Sequence, residues 1–345
     1  MKLIKTKDAV GHVLCHDITQ IKRGIIKDAI FRKGHVVREE DIDLLLSIGK
    51  ENLYVWESDE SKLHEDEAAV ILYDICKGNY MHGSEIKEGK IELIADTDGV
   101  LKIDVKKLNL INSLGEMMIA SRHTNIPVKK GEKLAGTRVI PLVIEKEKME
   151  NAKKAAGESP IFQILPYKQK KVAIITTGSE VYKKLIPDAF TPVIADKLSE
   201  FPTEVIKHTV CNDDNEMITE AILEASEKDA DIIILTGGMS VDPDDRTPLA
   251  IKNAGTDIVT YGAAVLPGAM FLMGYLKNKE DKEITVMGLP GCVMYAGRTI
   301  FDLVLPRVMA DEKLKKEDFT ILGRGGLCLS CETCIFPNCG FGKGV

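Results

Sequence analysis

"DIIILTGGMSVDPDDRTPLAI", residues 231–251, decides how this chain is read. Ile232, Ile233, Ile234 and Leu235 run without polar alternation, the pattern of a strand buried on both faces. The run empties through Thr236 into Gly237 and Gly238, and Asp242, Asp244 and Asp245 crowd in behind them. Thr247-Pro248 then opens a helix, with a cap-type residue followed by proline at the first position. Strand, glycine loop and helix in succession make the repeating unit of a parallel sheet.

The unit recurs along the second half of the chain. "VAIIT" (172–176) runs into "TTGSE" (176–180), and "EITVMG" (283–288) runs into "GLPG" (288–291). "EVIKHTV" (204–210) is a further strand, followed by a helix from about Asp213, where Asp213 and Glu216 have capping-box spacing. "CVMYAGRTIFDLVLPRVMA" closes with a helix bearing Ile300, Phe301, Val304, Leu305 and Val308. The expected architecture over 171–312 is α/β, a mostly parallel sheet with helices on both faces.

In an open parallel sheet, ligands bind outside the carboxyl ends of the strands. Glycine there lets backbone N–H groups approach a phosphate closely. Thr177, Gly178, Ser179 and Glu180 of the first loop are therefore candidate binding residues. Thr236, Gly237, Gly238 and Ser240 of the second join them, with Pro290 and Gly291 of the third. A phosphorylated ligand beside Asp242, Asp244 and Asp245 would be repelled unless a cation lay between them. Mg²⁺, held by one or two carboxylates plus substrate phosphates, fits that need. These three aspartates are the candidate catalytic residues. Helix capping by Asp244 or Asp245 is the competing explanation, and it accounts for only one of them.

The first half is organised differently. Residues 1–60 mix short strands with the helix "REEDIDLLLSIGK", which carries Ile42, Leu45 and Leu46 on one face and ends before Gly49; "NLYVWE" follows as a strand. Residues 61–145 read as β-rich after a helix at about 65–77. Within them "KIELIADTDGVLKIDV" suggests a hairpin about Asp98-Gly99. Charged, helix-favouring residues open the 146–170 segment, which reads as a connecting helix or linker. Smaller α+β and β-rich regions thus precede the α/β domain.

Residues 313–345 form a cysteine-rich tail. Four of the eight cysteines, Cys328, Cys331, Cys334 and Cys339, are spaced C-x₂-C-x₂-C-x₄-C. In a reducing compartment such a cluster points to metal rather than to disulfides. Three thiolates at x₂ spacing resemble an iron–sulfur run more than a zinc site built from two separated pairs. Both metals stay open, as does a redox-active tail. The seven histidines show no metal-ligand spacing of their own.

Composition limits the partners. The chain has 345 residues, 44% hydrophobic and 29% charged, with a net charge of −7. That balance excludes a general nucleic-acid coat, which needs a broad basic excess. Neither a membrane span nor a signal-peptide core is evident, so the expectation is a cytoplasmic protein with no membrane partner.

"TGGMSVDPDDRTPLAI" resembles the signature loop of the molybdopterin-binding domain. Gly237, Gly238, Pro243, Asp245, Thr247 and Pro248 occupy the family's positions, "IITTGSEV" resembles its first loop, and "VMGLPGC" its third. The resemblance covers roughly residues 170–310. The front of the chain, "AVGHVLCHDI" onward, is more weakly similar to the amino-terminal part of the molybdopterin molybdotransferases. That resemblance implies insertion of molybdate into adenylated molybdopterin with Mg²⁺-dependent release of AMP. It also implies a homodimer and a molybdoenzyme client. The chain lacks a counterpart of the "MDGYA"-type segment of those enzymes. A non-catalytic carrier or sensor of the finished cofactor is therefore the rival reading, with an adenylyltransferase or nucleotide hydrolase third. The nicotinamide-nucleotide amidase and competence-related proteins share the domain and a similar Pro-Asp-Asp loop.

Overall fold

The computed structural model describes residues 1–22, 26–55 and 59–344, which group into two compact units. The first unit comprises residues 1–96, 103–122 and 131–163, and the second 97–102, 123–130 and 164–345.

In the first unit, Lys2–Lys5 pairs antiparallel with Asn52–Val55. The expected end of that second strand, at positions 56 and 57, lies outside the described residues. Helix Asp41–Ser47 buries Leu45 and stops at Gly49, whose φ of 81° is a conformation that favours glycine. A four-stranded antiparallel sheet runs in the order Met81–Gly83, Lys90–Ala95, Lys133–Val139, Met117–Ser121. The segment read as a connecting helix or linker contains helix Lys146–Ala156, packed through Met149, Ala152 and Ala156.

The hairpin expected about Asp98-Gly99 does not form. Lys90–Ala95 pairs with the strands just named, whereas Gly99–Ile103 pairs with Ile126–Val128. Two local facts explain the misreading. The Asp98 carboxylate accepts the N–H of Lys130 at 2.8 Å, so it ties down a distant segment and not its own turn. A Cβ on Gly99 would lie 2.3 Å from the Leu165 carbonyl oxygen, so this glycine serves close backbone approach.

Helix Glu65–Cys76 begins with a buried carboxylate. Burial, and then the neighbouring Asp66 charge, push the Glu65 carboxyl up to about 7 from 4.5. The folded state thus holds this proton more tightly than the unfolded chain does. Its favourable contribution is present on the acid side and is lost as pH rises through the folded value. Glu65→Gln is expected to be more stable than wild type at pH 8 by about 1–3 kcal/mol and nearly equal at pH 4.5. Urea unfolding of both proteins at the two pH values checks this; a pH-independent difference would remove the titration argument.

The second unit carries a six-stranded sheet: β1 Lys170–Thr177, β2 Thr203–Cys211, β3 Ile232–Thr236, β4 Asp257–Tyr261, β5 Leu272–Lys277 and β6 Glu283–Leu289. The spatial order is β2-β1-β3-β6-β5-β4. Pairings among β2, β1, β3 and β6 are parallel, and β5 and β4 add antiparallel at one edge. The sheet is thus mostly parallel, as the sequence predicts, although β4 and β5 go unread there.

Successive residues of a strand face opposite sides, so an unbroken apolar run feeds two cores. Ile174, Ile234 and Met287 pack with Ile194 and Leu198 of helix α1 (Phe190–Ser199) on one face. Phe301, Val304, Leu305 and Val308 of a later helix, Ile300–Met309, complete that layer. Ala173, Ile175, Ile233 and Leu235 pack on the other face against helix α2 (Asn215–Glu227) and helix α3 (Thr247–Asn253). Ile300–Met309 is α4. The cap of α2 is Asp214, which accepts the Met217 N–H, and not Asp213 as the spacing suggests.

Candidate functional site

Strands β1, β3 and β6 are neighbours and parallel, so the loops after Thr177, Thr236 and Leu289 leave the sheet at one edge. Chain order reverses beside β1, with β2 on one side of it and β3 on the other, which is where open α/β sheets bind ligands. A cavity of about 780 Å³ lies at this edge.

The second glycine loop forms its floor. Gly237 and Gly238 have φ of 86° and 55°, a pair of left-handed residues that turns the chain immediately after β3. Gly237 is also obligatory on packing grounds, since a Cβ there would sit 2.2 Å from the Thr177 carbonyl oxygen. Thr247, buried at the start of α3, donates from Oγ1 to the Gly237 carbonyl at 2.9 Å and lies 3.1 Å from Thr177 Oγ1. Thus Thr177 and Thr247 bind the first and second loops together from beneath. Thr236 Oγ1 is buried with no hydrogen-bond partner among the described residues.

Of the predicted binding residues, Gly237, Gly238, Ser240, Pro290 and Gly291 line the cavity. Thr177, Gly178, Ser179, Glu180 and Thr236 do not. The first loop is held instead by Asp213, whose carboxylate accepts the Ser179 N–H at 2.7 Å. That bond is why Asp213 is not the α2 cap.

The acidic loop resolves into unequal parts. Asp245 lines the cavity, whereas Asp242 and Asp244 are exposed and do not. The Asp242 N–H donates to Asp245 Oδ2 at 2.8 Å, and the Asp245 N–H donates to the Asp242 carbonyl at 2.9 Å. This reciprocal pair closes the turn and aims one carboxylate. Tyr261 at the end of β4 fixes the loop further, its hydroxyl donating to the Met239 carbonyl at 3.1 Å. Burial, and secondarily the Asp245 charge, raise the Tyr261 phenol, keeping it a donor.

Sequence reasoning missed the opposite wall. Leu266–Met270, Cys292, Met294 and Tyr295 line it, together with Leu327 and Cys328 from the cysteine-rich segment. The Pro267-Gly268 turn signal was the only local cue. Burial raises the Cys292 thiol. Cys328 and Cys339 pack against the α4 core, whereas Cys331 and Cys334 are exposed. Among the described residues, no three His, Cys, Asp or Glu side chains gather closely enough to hold a metal ion. The described residues also include no helix long and apolar enough to cross a membrane.

Comparison with known proteins bears on this site. Residues 173–310 match the family model described as "Probable molybdopterin binding domain", and residues 3–57 match a domain of unknown function. A Bacillus cereus (strain B4264) protein named "Putative competence-damage inducible protein" is 30% identical over 128 residues, 37% of this chain. The chain spans 30% of the length of that relative. Among solved structures, the tungsten cofactor synthesizing protein MoaB from Pyrococcus furiosus is 22% identical with a TM-score of 0.30, covering 36% of this chain and 84% of that one. A molybdenum cofactor biosynthesis protein from the same organism is 14% identical with a TM-score of 0.27, covering 91% of this chain and 66% of that one. The loops after β1, β3 and β6 all fall inside the matched segment, so the site lies in the part of the chain, residues 173–310, that is similar to a molybdopterin-binding domain.

Proposed function

We propose that the cavity takes adenylated molybdopterin and that the protein inserts molybdate with release of AMP, as a molybdotransferase does. The observation that carries this reading is the placement of Asp245 on the same cavity as the Gly237-Gly238 turn. The turn offers backbone N–H groups to phosphate, and Ser240 adds a hydroxyl donor. A single carboxylate suits Mg²⁺, which readily completes its shell with ligand phosphates and water. Asp245 would hold that ion, and the ion would supply charge neutralisation at the phosphoanhydride. Asp242 and Asp244 then act on the ion only through the loop field. The expected assembly is a homodimer serving a molybdoenzyme client, with a thiolate-bound iron–sulfur or zinc centre at Cys328, Cys331, Cys334 and Cys339.

The rival reading, a carrier or sensor of finished cofactor, is favoured by one feature: Leu327 and Cys328 wall the cavity from outside the matched domain. The test is AMP release from adenylated molybdopterin, with and without molybdate and Mg²⁺. Release that needs both supports the enzyme. Tight binding of molybdenum-loaded cofactor with no release transfers the assignment to the carrier. Hydrolysis of nicotinamide nucleotides in place of either would align the chain with the competence-related branch.

A further inference from the structure

We propose that residues 325–342 are a metal-binding loop whose loading fixes one wall of the ligand cavity. This segment lies beyond the matched domain, yet it is anchored at both ends. The Gly342 N–H donates to the Gly325 carbonyl at 2.9 Å, and the Gly344 N–H to the Arg324 carbonyl at 3.0 Å, closing the loop at its neck. Glycine is required at that neck. Gly325 has φ of 82° and a Cβ position 2.7 Å from the Gly340 oxygen, and the Gly342 Cβ position is 2.3 Å from Leu303. All four clustered cysteines fall between the closed ends.

The loop is also strapped to the cavity. The Leu266 N–H donates to the Gly326 carbonyl and the Cys328 N–H to the Leu266 carbonyl, both at 2.8 Å, making a parallel bridge of Leu266 with Leu327. Leu266, Leu327 and Cys328 are all cavity-lining. Cys328 therefore has two roles, as first thiol of the cluster and as part of the wall. Phe336 seats the far side, with the Arg298 guanidinium 5.0 Å from its ring centroid.

The donor set suits a soft metal: four thiols on one closed loop, two of them half-buried and two exposed. Each ligating thiol gives up its proton and the metal replaces it as the shared partner. The four thiols are not gathered in this structure, so loading would draw Cys331 and Cys334 toward Cys328 and Cys339, which pack against the core. A metal on Cys328 ties the strap to the other thiols of the loop, and the Leu266–Leu327 bridge is stabilised with it.

Metal content and amide exchange of the full-length, anaerobically purified protein test this, and neither readout depends on which ligand the cavity takes. Stoichiometric iron with acid-labile sulfide, or stoichiometric zinc, is expected in wild type and lost in Cys331→Ser and Cys334→Ser, whose side chains lie outside the cavity lining. Exchange of the Leu266 and Cys328 amides should then rise about tenfold or more, with core amides of β1 and β3 unchanged. Chelator-treated wild type should behave like the variants, which separates metal loss from a folding defect. Protein containing neither iron nor zinc overturns the site. Metal whose loss leaves those two amides unchanged overturns the coupling and leaves the pterin reading untouched.

Discussion

Asp245→Asn is expected to lower Mg²⁺-dependent AMP release about 10²- to 10³-fold while changing ligand affinity only a few-fold. Asparagine keeps the oxygen that accepts the Asp242 N–H, so the turn closed by that bond survives. What the substitution removes is the negative charge that would bind the cation. The glycine turn, which contacts phosphate through backbone N–H groups, is unaffected. Thermal midpoints of the two proteins should agree within a degree or two, since a neutral swap on a half-exposed side chain costs at most a few tenths of a kcal/mol. Full activity in the variant would eliminate Asp245 as the cation ligand. A large loss of stability would return it to a structural role in the loop.

The second large effect is on stability. Gly237→Ala should destabilise the second unit by about 3–5 kcal/mol, combining left-handed strain with a backbone collision. The collision is not relieved by a rotamer change, because the Cβ meets the Thr177 carbonyl oxygen at 2.2 Å and Thr177 Oγ1 at 2.8 Å. Gly291 is the internal control. It lines the same cavity, has no positive φ, and a Cβ there meets nothing within 4 Å. Gly291→Ala should change the unfolding free energy measured in urea by well under 1 kcal/mol. Equal effects of the two substitutions would contradict the packing of the loops against each other.

The parallel core was legible because β1, β3 and β6 are short runs without polar alternation. β4 and β5 were not. "DIVTY" is half polar, and β5 contains Gly274, whose Cβ position is 2.6 Å from the Asp257 oxygen. A glycine placed for strand-to-strand approach looks locally like a strand breaker. The same limit applied at Asp98-Gly99. In the site, glycines immediately after strands announced the loop after β3, whose position follows from the sheet alone. The wall built from Leu266 and Leu327 depends on a bridge between segments 61 residues apart in number, and nothing local encodes it. The aspartates show a third case: their crowding flagged three, the resemblance of the loop singled out Asp245, and the cavity and the hydrogen-bonded turn set it apart in the structure.

The alternation of the chain between its two units bears on how the molecule is made. It passes from the first to the second at residue 97, returns at 103, crosses at 123, returns at 131 and crosses finally at 164. During synthesis, the strands Gly99–Ile103 and Ile126–Val128 emerge long before the six-stranded sheet to whose unit they belong. They pair with each other and with Phe162–Pro166, but the body of their unit, from residue 164 onward, is made only later, and late completion of a unit prolongs exposure of apolar segments. A cut at residue 170 would leave both strands on the wrong fragment. Neither half is then a faithful piece of the whole, and nascent chains stalled before residue 164 should be the species that chaperones hold.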